Sequence, residues 1–193
     1  MEVTVGKRQF GRVRKLPSGR WQARYLGPDG LDRSLGTFTT KANANQALAK
    51  VELDMASGSW LDPARREQTL ASYASSWIST RNLRPRTRES YEDQLRLRIL
   101  PRLGPVPLGK ITPHEVRTWH STLIADADAT GKGHRSISSA YRVLRAILNT
   151  AVQDEILGRN PCQIRGASTD RPVHRHTVSE QQVWALAEAV PPI

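Results

Sequence analysis

Between Phe10 and Phe38, apolar and polar residues alternate with a period of two, and beyond Gln68 the apolar positions recur at three- and four-residue steps. The first pattern predicts strands over Phe10–Leu16, Arg20–Leu26 and Leu31–Phe38. Pro17-Ser18-Gly19 separates the first two and Gly27-Pro28-Asp29-Gly30 the last two, so the three follow one another as an antiparallel meander. Alternation sorts the faces. Val13, Trp21, Ala23 and Tyr25 point to one side, and Arg12, Arg14, Arg20, Gln22 and Arg24 to the other. The apolar side needs a cover, which the segment from Thr40 to Ser57 provides as a helix. There Ala44, Ala47, Leu48, Val51 and Met55 share a face and Gly58 ends the element.

Ser59–Glu67 contains Pro63 and two arginines without a helical period and reads as a linker. Four helices are then predicted. The first, Thr69–Thr80, aligns Leu70, Tyr73, Ala74, Trp77 and Ile78. The second starts at Pro85-Arg86-Thr87, runs through Tyr91, Leu95 and Ile99, and is expected to stop at Pro101 and Gly104. The third begins with Thr112 as N-cap, Pro113 at the first helical position and Glu115 completing a capping box, and carries Val116, Trp119, Leu123 and Ile124. The fourth, from about Arg135 to Leu157, has the longest apolar stripe: Ile137, Ala140, Tyr141, Leu144, Ile147, Leu148, Ala151 and Val152. Such helices make a compact bundle. A polar stretch, Gly166–His176, reads as a second linker, and Ser179 caps a last amphipathic helix that stops at Pro191-Pro192. With no element after it to cover its apolar face, that helix is expected to open a further domain. The predicted organisation is therefore 1–58, an α+β domain of a three-stranded antiparallel sheet plus one helix; 59–67, linker; 68–165, an all-α four-helix domain; 166–176, linker; 177–193, the start of another domain.

Charge changes what these faces are for. The chain of 193 residues has 29 Lys+Arg against 18 Asp+Glu, a formal net charge of +11, and arginine far outnumbers lysine. Residues 1–66 hold 12 basic and 6 acidic residues, residues 67–165 hold 15 and 9, and residues 166–193 hold 2 and 3. Two foldable segments are thus each basic, which points to a polyanionic partner met by two ordered surfaces rather than by a tail. A strand ribbon and a helix both fit the DNA major groove, and the guanidinium fork suits phosphates and guanine edges. The sheet candidates are Arg12, Arg14, Arg20, Gln22 and Arg24, since four arginines on one small face repel unless an anion meets them. The helical candidates are Arg86, Thr87, Arg88, Arg135, Ser139, Arg142 and Arg145, which lie off the apolar stripes.

Other chemistry finds little support. No glycine-rich phosphate loop is present. Cys162 has no second cysteine, and His174 and His176 stand in a linker without companion ligands, so no metal or cofactor is expected. Trp21, Trp77, Trp119 and Trp184 fall on apolar faces as core anchors. No apolar run is long enough to span a bilayer, no signal-peptide segment opens the chain, and the lone cysteine fits a cytoplasmic setting.

With these residues in place, the chain resembles the N-terminal part of a tyrosine recombinase of the phage integrase family. Gly19-Arg20-Trp21 through Arg24-Tyr25, Asp29-Gly30 and Phe38-Thr39-Thr40-Lys41-Ala42 are similar to its arm-binding domain. Thr87 with Tyr91, Ile99-Leu100-Pro101-Arg102-Leu103-Gly104, Leu108 through Ile111-Thr112-Pro113, Trp119 and Asn160-Pro161 are similar to its SAM-like core-binding domain. Thr177–Gln182 resembles the opening of the catalytic domain. The resemblance implies binding of double-stranded arm-type and core-type attachment-site DNA for integration, and self-association into a tetramer on DNA. It also implies cleavage by a tyrosine nucleophile in a domain that barely begins here, so no catalytic residue is assigned. His114-Glu-Val-Arg117 spells a His-x-x-Arg segment of that domain but falls at the start of a core-binding helix, the wrong context. The competing readings are a stand-alone regulator or architectural or excision factor, and a structural RNA-binding protein.

Overall fold

The computed structural model describes residues 10–131, 133–169 and 180–189. Three strands, β1 (Arg12–Lys15), β2 (Trp21–Leu26) and β3 (Asp32–Phe38), form one antiparallel sheet in the order β1-β2-β3. The first turn is closed by Leu16 N–H donating to Arg20 O at 2.8 Å, with Gly19 at φ 78°. The second is closed by Gly27 N–H to Leu31 O at 2.9 Å, with Gly30 at φ 77°. Only glycine adopts such φ without cost.

Strand β3 departs from simple alternation. Ala23 pairs with Gly36 and Arg24 with Ser34, leaving Leu35 as the extra residue of a bulge. The bulge lets Ser34 and Thr37, three residues apart, stand exposed on the outer face while Leu35 and Phe38 pack inward. Beneath the sheet runs α1 (Lys41–Ala56), whose N-cap Thr40 accepts from Asn43 N–H at 3.1 Å. Ala23, Tyr25, Ala44 and Leu48 are fully buried between helix and sheet, with Val13, Trp21, Leu35, Phe38, Val51, Met55 and Trp60 around them. Burying one such leucine is worth about 1.5–3 kcal/mol.

The segment after Gly58 holds an element the sequence pattern does not reveal, the single turn α2 (Pro63–Arg66). Asp62 accepts from Ala64 N–H at 2.9 Å and caps it, so one side chain sets a helix too short to show a period. Trp60 Nε1–H donates to Tyr25 Oη at 3.3 Å, and Arg65 Nη1 donates to Asp154 O at 3.0 Å.

The predicted helices form as α3 (Leu70–Ser79), α4 (Pro85–Gln94), α6 (Pro113–Thr130) and α7 (His134–Gln153), with a short α5 (Leu100–Leu103) after α4. Pro101 does not stop the second helix. A π-helical turn at Leu95–Ile99, in which Leu100 N–H reaches Leu95 O, widens the backbone ahead of the proline ring, and the helix continues to Leu103 with Gly104 as C-cap. A Cβ on Gly104 would lie 2.5 Å from Leu100 O, so glycine is required there. Thr112 caps α6, accepting from Glu115 N–H at 3.2 Å, and Gly131 ends it at φ 65°. The fourth helix stops four residues short of Leu157. Glu155 turns left-handed at φ 57°, and Ile156 and Leu157 N–H both return to Ala151 O, which buries the two apolar side chains.

The described residues divide into two compact units: those of Met1–Gln68, Pro107–Lys110 and Asn149–Asn160, and those of Thr69–Val106, Ile111–Leu148 and Pro161–Ile193. In the second, Trp119 and Tyr141 are the largest fully buried side chains, each tied by a polar atom. Trp119 Nε1–H donates to Arg98 O at 2.8 Å, and Tyr141 Oη accepts from Ile164 N–H at 2.8 Å. The last helix is α8 (Glu180–Ala189). Trp184 on it is not a core anchor in this structure but 65% exposed, because the described residues leave it uncovered. His174, His176 and Thr177–Ser179, including the predicted Ser179 cap, lie outside the described residues.

Candidate nucleic-acid interface

The outer face of the sheet brings four of the five predicted sheet residues to one place. Arg12, Arg14, Gln22 and Arg24 line a shallow hollow of about 260 Å³. Register explains the grouping, since Arg12 pairs with Arg24 and Arg14 with Gln22 directly across β1 and β2, where side chains of one face stand within reach. Arg20 lies immediately before β2, and its Nη2 donates to Thr37 O at 3.0 Å.

Repulsion among these arginines is relieved inside the protein, by a residue that alternation alone did not single out. Asp32, at the start of β3, pairs with both Arg12 and Arg24, the latter with Nη2 3.0 Å from Oδ2 and Nε 3.2 Å from both carboxylate oxygens. Arg24's hydrogen bond is the main cause holding the Asp32 carboxyl below its ordinary value. Arg14 has a neutral partner: its Nε donates to Gln22 Oε1 at 2.8 Å, and Gln22 Nε2 reaches Ser34 Oγ at 3.5 Å. Polar residues at alternate positions Asp32 and Ser34 were the available signal; the bulge that fixes their partners was not visible.

Arg33 plays a different part. It points inward from β3, its side chain only 12% exposed, bonded to Asp29 at 2.5 Å and Asp62 at 3.1 Å, with its guanidinium 5.1 Å from the Trp60 ring. The Asp29 hydrogen bond is the main cause raising the Arg33 pKa, and Arg33 in turn lowers Asp29 to about 2. This cluster fastens the second turn and the segment after α1 to the sheet.

The helical candidates are less uniform. On α7, Arg135, Ser139 and Arg142 fall at four- and three-residue steps and so share a face, with Arg145 one turn beyond Arg142. Arg142 donates to Ser139 Oγ at 2.9 Å and Ser168 O at 3.3 Å. On α4, Arg86 is exposed and Thr87 half-buried. Arg88 turns back: Nη1 donates to Ile78 O and Nη2 to Arg81 O, both at 3.0 Å, so it closes the C-terminal end of α3.

Among the described residues, no group of His, Cys, Asp and Glu could hold a metal ion, and no helix is long and apolar enough to cross a membrane. Burial pushes the Cys162 thiol up to about 12, which leaves it a thiol rather than a nucleophilic thiolate. His114 and Arg117 are exposed near the start of α6.

Two family models match in the order the sequence suggested. The phage integrase N-terminal domain matches residues 9–57, and the phage integrase N-terminal SAM-like domain matches residues 69–124. The prophage phiRv2 integrase of Mycobacterium tuberculosis is 37% identical over 97% of this chain and 51% of its own length. The integrase of Mycobacterium phage D29 is 34% identical over 95% and 50%. The chain thus spans about half the length of the curated relatives it matches. Among solved structures, a lambda integrase dimer bound to a COC' core site aligns over 96% of this chain and 54% of its own, with TM-score 0.51 and 18% identity. A lambda integrase tetramer bound to a Holliday junction aligns over 95% and 54%, with TM-score 0.52 and 18% identity. At that identity the likeness is one of fold.

Proposed function

The chain belongs to the phage integrase family, and from that premise we propose that it is the DNA-binding portion of a site-specific tyrosine recombinase. In this proposal residues 1–58 bind arm-type attachment-site DNA and residues 68–165 bind core-type DNA, joined by residues 59–67. Cleavage and rejoining belong to a catalytic domain that residues 177–193 begin, and the intact protein works as a tetramer on double-stranded DNA in the cytoplasm. Linking two DNA contacts in one chain raises the effective concentration of the second once the first is made.

The observation that carries the proposal is the outer sheet face, where a hollow lined by Arg12, Arg14, Gln22 and Arg24 lies on a rigid pleated surface backed by a buried core. Arginines held in register can follow a groove, and a ribbon of strands is narrow enough to enter the major one. The test is a mobility shift of the whole chain on attachment-site duplex and on a scrambled duplex across a salt series. Tighter binding to the attachment site, weakening steeply with salt, is the expected result. Binding no better than that of a neutral protein of the same size overturns the proposal.

A further inference from the structure

The arginines of the sheet's outer face are held in different ways, and the one on the central strand is held most completely. Arg24 meets the Asp32 carboxylate along the side edge of its guanidinium, Nε at 3.2 Å from both oxygens and Nη2 at 3.0 Å from Oδ2. A guanidinium has a second edge with paired N–H groups, formed by Nη1 and Nη2, and among the described residues Nη1 of Arg24 has no partner. Arg24 lines the hollow on the outer face and its side chain is 31% exposed, against 69% for Arg12 on the neighbouring edge strand.

A carboxylate beside phosphates is unfavourable, so Asp32 opposes binding to DNA of any sequence. What it supplies is orientation. A guanidinium fixed along one edge has little rotamer freedom left to lose when the other edge makes two hydrogen bonds, and the end edge matches the O6 and N7 acceptors of guanine. Among the described residues, Arg12, Arg14 and Arg20 have no such two-point side-chain clamp: Arg12 reaches Asp32 through Nη2, Arg14 is bonded at Nε to Gln22, and Arg20 at Nη2 to a backbone carbonyl.

Resting on the reading that this face contacts duplex DNA, we propose that Asp32 is a positioning residue for sequence discrimination. It aims the free edge of Arg24 at a guanine in the major groove, while Arg12, Arg14 and Arg20 bind phosphate.

The test uses the whole chain and a pool of short duplexes with a randomised centre, the bound fraction being sequenced for the unaltered protein, Asp32→Asn and Arg24→Lys. Affinities are then measured for the enriched duplex and its scramble, and thermal melts check that each variant is folded. The unaltered chain should enrich a motif containing a guanine that both variants lose. Arg24→Lys keeps the charge but not the fork. It should bind the enriched duplex roughly 10- to 100-fold more weakly and the scramble unchanged. Asp32→Asn should bind the scramble as tightly or more tightly than the unaltered chain, yet its preference for the enriched duplex should fall about tenfold. If Asp32→Asn strengthens binding to both duplexes equally, or enriches the same guanine-containing motif as the unaltered chain, Asp32 only balances charge and the inference is wrong. Duplex binding without any enriched motif also overturns it and leaves the DNA-binding reading standing. No duplex binding at all overturns both.

Discussion

The sheet's outer face and the polar face of α7 both carry arginines at regular intervals, yet they hold them differently. On the sheet, Arg12, Arg14 and Arg24 are bonded to side chains of the same face, Asp32 and Gln22, so their anchors lie where a ligand would sit. In the helical region, Arg88 donates to backbone carbonyls, of Ile78 and Arg81, and Arg142 to that of Ser168 as well as to Ser139 Oγ on its own helix. An arginine bonded to a carbonyl at a helix end completes the fold; one bonded to a surface carboxylate keeps an edge for something outside. Equal charge in two segments therefore does not mean equal roles for the arginines.

The largest test of that contrast removes the floor of each face without touching an arginine. Leu48→Ala, under the sheet, and Trp119→Ala, in the helical region, should cost about 2–5 and 3–5 kcal/mol respectively in chemical denaturation. Each should abolish DNA binding by its own region first. Next in size is Arg88→Ala, which frees the carbonyls of Ile78 in α3 and of Arg81 just after it and should lower stability by about 1–3 kcal/mol. Arg86→Ala on the same helix should stay within about 0.5 kcal/mol in the same denaturation series. Equal losses for the pair would break the distinction between a fold-completing and a free arginine. Joint replacement of Arg12, Arg14 and Arg24 by alanine should reduce the slope of log affinity against log salt by about 0.9 for each phosphate that is no longer neutralised. The same change at Arg135, Arg142 and Arg145 should reduce it on the same scale, by about 0.9 for each phosphate those three contact.

The smallest effect is one of pH. Asp29 and Asp32 both have folded pKa values below the ordinary 3.8, Asp29 at about 2. A depressed carboxylate contributes stability that is fully present above its unfolded value and is lost as pH falls through its folded one. The ion pairs of the sheet should therefore be intact at neutral pH and weaken only below about pH 4. Carboxyl carbon shifts followed by NMR should show Asp29 titrating near 2 and Asp32 below 3.8; an ordinary midpoint for Asp32 would mean that its arginine clamp does not persist in solution.

Much of this was legible in the chain. Alternation separated Ala23 and Tyr25 from Arg24 and Gln22, and the structure buries the first pair and leaves the second on the outer face. Thr40 and Gly58 marked the two ends of α1, and Thr112 the start of α6, because capping is local chemistry. What stayed hidden left no mark on the apolar period. The π turn that carries the helix past Pro101, and the placing of Arg88 on the end of α3, are hydrogen-bonding arrangements that a count of apolar steps does not register.

The sequence by itself determined the three strands and most of the helices, the buried side of the sheet and the basic character of two segments, because side-chain period and local capping need only neighbours within a few residues. Only the tertiary structure decided which arginines are free. That depends on strand register and on one bulge at Leu35, which together bring Asp32 and Ser34 within reach of Arg24 and Gln22, and a register shift of a single residue would have sent them to the core instead.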